Sequence, residues 1–179
     1  SSMLAAMLKS QYGIETLPHL TCRDRNLNAS KALLLGLSLQ GVRNVLVVTG
    51  DPIPNNRRGE IKSVFQFNSV LYADFIRDLN RTVFAGKPFR IMGALNVNAA
   101  NFDAELKKAH KKEKAGITCF LTQPVYDGRA AENLVRAKKE LASDLWAGIM
   151  PVVSYKNACF INNELAGIEI PAALCERFK

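Results

Sequence analysis

Five short apolar runs, each ending in polar side chains and each followed by a helical pattern, constrain this chain more than any other feature. They are Leu17 to Arg23 (LPHLTCR), Asn44 to Thr49 (NVLVVT), Phe89 to Asn96 (FRIMGALN), Thr118 to Val125 (TCFLTQPV) and Leu145 to Val152 (LWAGIMPV). Nearly continuous Val, Ile and Leu is how strands buried on both faces of a parallel sheet read. Between them the spacing predicts helices: KALLLGLSLQ, capped by Asn28 or Ser30 and stopped by Gly41, then Ser69 to Asn80, Phe102 to Lys114, and Gly128 to Leu141. Another helix opens the chain, with apolar residues at positions 3, 4, 7 and 8. Asn157 to Leu165 and a helix start at Pro171 close it. Strand alternating with helix implies a parallel sheet covered by helices.

Such a sheet can be open and doubly wound, or part of a β/α barrel. No strand run leads into a glycine-rich phosphate-binding turn, since Gly50 stands alone. Polar side chains instead gather at the C-terminal end of each strand: Arg23 and Asp24, Asp51, Asn96, Gln123, and Ser154 just beyond the fifth. Barrel enzymes build their sites there. The fold class expected is therefore α/β, a (β/α)8 TIM barrel. A whole barrel has eight units and about 250 residues; the 179 residues supply about five units. Residues 1–179 are read as one domain, an incomplete barrel, because five parallel units alone leave two unpaired sheet edges.

Composition narrows the function classes. The four cysteines, Cys22, Cys119, Cys159 and Cys175, lack the short spacings of zinc sites or redox dithiols, and with only His19 and His110 a multi-histidine metal site is not expected. No apolar run reaches the length of a membrane span and the start lacks a secretory leader's pattern, so no membrane partner and a cytoplasmic setting are expected. The net charge of +8 could serve nucleic acid, an anionic cofactor or a solvated surface. Much of it lies between Glu105 and Lys114, on what reads as one amphipathic helix with no nucleic-acid-binding motif beside it.

Asp51, delivered by the Gly50-Asp51-Pro52 corner, is the carboxylate best placed for chemistry; its ordinary alternative is a loop cap. His19 lies in a strand and reads equally as a core histidine or a functional one. Gln123 carries a donor and an acceptor suited to a heterocycle edge, and Tyr155 an aromatic face suited to a flat ligand, though each also has a purely structural reading. The loop from Asp51 to Lys62, rich in Pro, Asn and Gly, reads as a long functional loop.

The motifs LPHLTCRDRN, VVTGDP, TQPVYD and GIMPVVSYKN, in that order, resemble the methylenetetrahydrofolate reductase family, and most of all the reductase half of bacterial bifunctional homocysteine methyltransferase/reductase proteins. The resemblance implies a β/α barrel with FAD at its mouth. It further implies reduction of 5,10-methylenetetrahydrofolate to 5-methyltetrahydrofolate with NAD(P)H as co-substrate. Folate and nicotinamide nucleotide are then the partners, with a homo-oligomer and fusion to a homocysteine methyltransferase domain among the contexts it allows. Carried over by motif, Asp51 and Gln123 are the catalytic pair and, with Tyr155, bind the folate. The flavin falls to His19, Thr49, Gly50, Asp51, Phe67, Asn68, Ala94, Asn96, Glu105 and Lys112. Thr49 stands where many relatives carry arginine, and the family's general-acid glutamate would precede Ser1. The alternative is a non-catalytic flavin- or folate-binding module, or a basic nucleic-acid-binding one.

Overall fold

The computed structural model describes residues 2–51, 53, 59–60, 62–165 and 168–179. Pro52, residues 54–58 and Ile61, and with them much of the loop expected between Asp51 and Lys62, lie outside the described residues. The elements alternate as α1 (Ser2–Tyr12), β1 (His19–Thr21), α2 (Leu27–Leu39), β2 (Asn44–Val48), α3 (Ser69–Thr82), β3 (Arg90–Leu95), α4 (Phe102–Lys114), β4 (Cys119–Pro124), α5 (Gly128–Glu140), β5 (Asp144–Gly148), α6 (Tyr155–Glu164) and α7 (Ala172–Glu176). The strands form one sheet in the order β1-β2-β3-β4-β5. That is the α/β alternation of a partial TIM barrel. No helix among the described residues is long and apolar enough to cross a membrane.

Two compact units make up the chain. One takes the residues up to Gly93 and Lys111–Thr118; the other takes Ala94–His110 and everything from Cys119 on. In the first, β1, β2 and β3 are parallel, with Leu20 opposite Val47 and Val45 opposite Ile91. These four share one face of the sheet, and all are buried along with Leu34 and Leu37 of α2 and Tyr72, Ala73 and Ile76 of α3. In the second unit β4 and β5 are parallel. Ala158, Ile161, Ile170 and Cys175 form a buried cluster there, with Tyr126, Met150 and Val152 packed against it.

Boundaries differ from expectation where a side chain competes with the periodicity. Helix α2 starts four residues before Lys31, because Asn26 rather than Asn28 or Ser30 is its cap: the Asn26 side chain accepts from Ala29 N–H at 2.9 Å. Ser30 lies inside the helix, buried. Likewise α6 begins at Tyr155, not Asn157. Ser154 Oγ accepts from Asn157 N–H at 3.1 Å, while Val153 N–H donates back to Asn157 Oδ1 at 3.3 Å, a reciprocal cap. Strand β5 stops at Gly148 instead of Val152.

The approach to β3 depends on one amide. Asn80 Nδ2 donates to Phe89 O at 2.8 Å and Phe89 N–H donates to Asn80 Oδ1 at 2.8 Å, so the last backbone step before the strand is held by a helix side chain. Phe89 is buried and meets Phe84 edge-on with centroids 5.0 Å apart. Replacing Asn80 by alanine strands two backbone groups in a buried setting, and urea denaturation is expected to show a loss of about 2 kcal/mol. A variant as stable as the parent would mean that these groups find other partners.

Candidate functional site

In the first unit the site residues follow from the register of β1 on β2. His19 faces Leu46 and Thr21 faces Val48, so His19 and Thr21 lie on the face opposite the buried Leu20. His19 is exposed, and it sits two positions before the strand's end rather than at its rim. Thr21 is the rim residue, followed by Cys22, whose N–H donates to Val48 O at 3.1 Å.

Beyond β2, Thr49 and Asp51 are exposed on either side of Gly50. Gly50 has φ +91°, and a Cβ there would lie 3.2 Å from Arg23 Cβ and 3.4 Å from Thr21 Cβ. Only glycine is compatible with both the left-handed backbone and that contact. Arg23 Nη1 donates to Asp51 O at 3.0 Å, and Arg23 Nε and Nη2 donate to the two Asp24 oxygens at 2.7 and 3.0 Å. This fork draws the Asp24 carboxyl below its ordinary range, and Asp24 in turn raises the guanidinium.

The chain returns across this corner. Val64 N–H and Phe65 N–H donate to Arg23 O at 2.8 and 3.3 Å, and Gln66 Oε1 accepts from Leu27 N–H at 2.7 Å at the start of α2. Phe67 stacks on Tyr72 and Phe75, each at 5.3 Å between centroids. Asn68 caps α3, its Oδ1 accepting from Val70 and Leu71 N–H at 3.0 and 2.9 Å. Lys112, expected to reach a phosphate, is only 5% exposed.

In the second unit Ala94 is half-buried within β3 and Asn96 follows the strand's end. Asn96 Oδ1 accepts from Asn98 N–H at 3.0 Å, and Asn96 N–H donates to Glu105 Oε1 at 3.3 Å. The other Glu105 oxygen accepts from Lys108 Nζ at 2.9 Å. Asn96 and Glu105 are thus brought together, and both Glu105 oxygens already have partners. Asn96, Asn98, Asn162 and Glu169 line an open cavity of about 520 Å³ with Ile168 on its wall. Tyr155, the first residue of α6, is 38% exposed and lies under Lys179 Nζ, 5.0 Å from its ring centroid.

Gln123 sits in an irregularity. Leu121 pairs with Trp146 but Pro124 with Gly148, so three steps along β4 match two along β5. The extra residue is the mark of a β-bulge, which turns side chains away from the regular pleat. Thr122 Oγ1 donates to Gln123 O at 2.8 Å and accepts from Gly148 N–H at 2.9 Å, and a Cβ on Gly148 would lie 2.7 Å from Thr122 O. The bulge therefore requires both the threonine hydroxyl and the bare glycine.

The sequence places Arg23 and Thr122 among the polar strand ends without giving either a task, and does not single out Thr21 or Gly148. A lone glycine inside the fifth apolar run was the available signal, since an isolated strand glycine marks a bulge or a close backbone approach.

Two measurements probe this geometry. Gly148→Ala is expected to destabilise the protein by about 1–3 kcal/mol in urea titrations, because the added methyl meets backbone rather than a movable side chain; an unchanged midpoint would show that the bulge can open. Cys22 is 1% exposed, and burial pushes its thiol from 9.0 up to about 11. The unfolded chain loses this proton near 9 while the folded one keeps it. Stability is therefore expected to fall as pH rises from about 9 to about 11, and Cys22→Ala to remove that part of the slope.

The chain is similar to several known proteins. A probable methylenetetrahydrofolate reductase (NADPH) of Caenorhabditis elegans is 27% identical over 177 residues, 96% of this chain and 25% of that protein. The 5,10-methylenetetrahydrofolate reductases of Buchnera aphidicola subsp. Baizongia pistaciae and Escherichia coli K12 are 24% and 23% identical, over 99% and 96% of this chain and 58% and 55% of theirs. The chain spans little more than half the length of these bacterial relatives. A solved structure of a Clostridium thermocellum protein described as binding two copies of 5-methyl-5,6,7,8-tetrahydrofolic acid is 14% identical with a TM-score of 0.49, covering 99% of this chain and 79% of that one. The family model described as methylenetetrahydrofolate reductase matches residues 1–179, and the chain belongs to that family.

Proposed function

We propose that this chain provides flavin- and folate-binding residues for the reduction of 5,10-methylenetetrahydrofolate to 5-methyltetrahydrofolate by NAD(P)H, in the cytoplasm. One observation carries the reading: an exposed carboxylate, Asp51, stands beyond the C-terminal end of β2 on a corner that only glycine can make. The motifs around it, CRDRN and VVTGDP, favour kinship with the reductase half of a protein fused to a homocysteine methyltransferase.

The donor set suits FAD at its neutral portions. The exposed Thr49 hydroxyl, the His19 imidazole, the Gly50 backbone and the Asn96 amide beside its cavity offer donors and acceptors without bulk. Phe67 and Asn68 precede α3 in the first unit, and Ala94 lies within β3. Glu105 would share its oxygens with a ribose hydroxyl, and Lys112 would serve a phosphate only if the phosphate comes within reach of its buried position. When bound, FAD supplies a two-electron hydride carrier.

The remaining chemistry belongs to side chains. Asp51 places negative charge beside the reacting folate and favours positive charge developing on it. Gln123, in the irregular part of β4, can give one hydrogen bond and accept another at a pterin edge. Tyr155 offers an exposed aromatic face for the flat ring of the folate.

The test uses the protein in its full reading frame. Flavin released on denaturation, and oxidation of NAD(P)H first with menadione and then with methylenetetrahydrofolate, are expected. Asp51→Asn should keep the flavin and lose about ten- to a hundredfold in folate-dependent turnover, the range for removing one electrostatic contact to a transition state. Colourless protein after expression with added riboflavin, or full folate turnover in Asp51→Asn, would overturn the reading.

A further inference from the structure

We propose that Arg23 is a positioning residue for Asp51, acting through the backbone of the Gly50-Asp51 corner; this rests on the role given to Asp51 above. Arg23 lies two residues past the end of β1, and its groups reach every strand of chain that meets there. Nη1 donates to the carbonyl of Asp51 at 3.0 Å. Nε and Nη2 grip both oxygens of Asp24 at 2.7 and 3.0 Å, which fixes the plane of the guanidinium. The Arg23 Cβ occupies the space where Gly50 would carry its own, at 3.2 Å. Its carbonyl accepts from Val64 and Phe65, and Phe65 takes φ +38°, a backbone state that a bulky residue holds only when its surroundings enforce it.

This corner needs an external hold. Gly50 contributes no side chain, and glycine's wide backbone freedom passes on to the residue after it. The orientation of the Asp51 carboxylate follows from that residue's own backbone angles, since rotamers are tied to φ and ψ. Fixing the Asp51 carbonyl therefore aims the carboxylate. Lysine cannot substitute: its single ammonium cannot present a planar fork to Asp24 while sending a third N–H at a fixed angle to Asp51.

The experiment is a double-mutant cycle on the full-length protein expressed with riboflavin. Arg23→Lys and Arg23→Gln are made in the parent and in the Asp51→Asn background, with folate-dependent turnover, flavin content and amide hydrogen exchange measured for each. If Arg23 works through Asp51, Arg23→Lys lowers kcat about tenfold in the parent and less than about twofold once Asp51 is neutralised. Exchange at the Gly50 to Asp51 corner and at Val64 and Phe65 should quicken about tenfold in Arg23→Gln, while the amides of β2 keep their protection.

Equal losses in both backgrounds, with an active flavin-loaded parent, would overturn the proposal while leaving the enzyme reading intact. Unchanged exchange at the corner would overturn it whatever the activity. A parent with neither flavin nor turnover would sink the reading of Asp51 itself, and the positioning role with it.

Discussion

The pairing of β1 with β2 is the constraint on which the first unit's site depends. Because side chains alternate along a strand, the register that sets Leu20 against Val47 also sets His19 against Leu46 and Thr21 against Val48. Leu20, Val45, Val47 and Ile91 are buried together on one face, and a one-residue slip of β1 on β2 would put the exposed His19 or Thr21 in the place of buried Leu20. Burying a leucine side chain is worth about 1.5–3 kcal/mol, which such a slip would forfeit at Leu20. The position of the candidate side chains of β1 is thus set by the buried residue between them.

The same economy runs through the helix starts. Asn26, Asn68, Asp127 and Ser154 each accept an N–H of the first turn of the helix that follows a strand end. A polar residue just past a strand is therefore not free for chemistry by default. Asn68 has its carbonyl oxygen committed to two backbone N–H groups, and whatever it offers a flavin must come from the rest of its amide. Ser154 similarly has its oxygen committed to Asn157.

The strands were legible because a strand covered on both faces is apolar throughout its length, as NVLVV is, although β5, read from the same pattern, has no buried residue. Helix α4 was legible to the residue, Phe102–Lys114, since periodicity and a closing glycine agree there. What stayed hidden were interactions set by tertiary geometry. Asn26 outcompeted Asn28 and Ser30 because β1 ends at Thr21 and the next helix can begin as soon as a side chain caps it. The start of β1 was hidden as well: the apolar run begins at Leu17, whereas the strand begins at His19 and its ladder runs on through Cys22. Lys112 could not be told from the other lysines of its helix, because burial of one face depends on what packs against it.

Irregularity at the strand ends has a physical reason. A parallel ladder leaves its inner side chains in fixed layers, so a residue needed at the rim in another direction must break the pleat. The second unit does this with an extra residue in β4 opposite Gly148; the first does it with the left-handed Gly50 after β2. Each break removes regular backbone pairing and requires a replacement. Thr122 supplies it for Gln123, through a hydroxyl that both donates and accepts. Arg23 supplies it for Asp51, through a guanidinium already fixed by Asp24. In both places the side chain that supports the rim is as specific in its geometry as the one displayed there, so a conservative replacement at the support should cost more than its exposure alone would suggest.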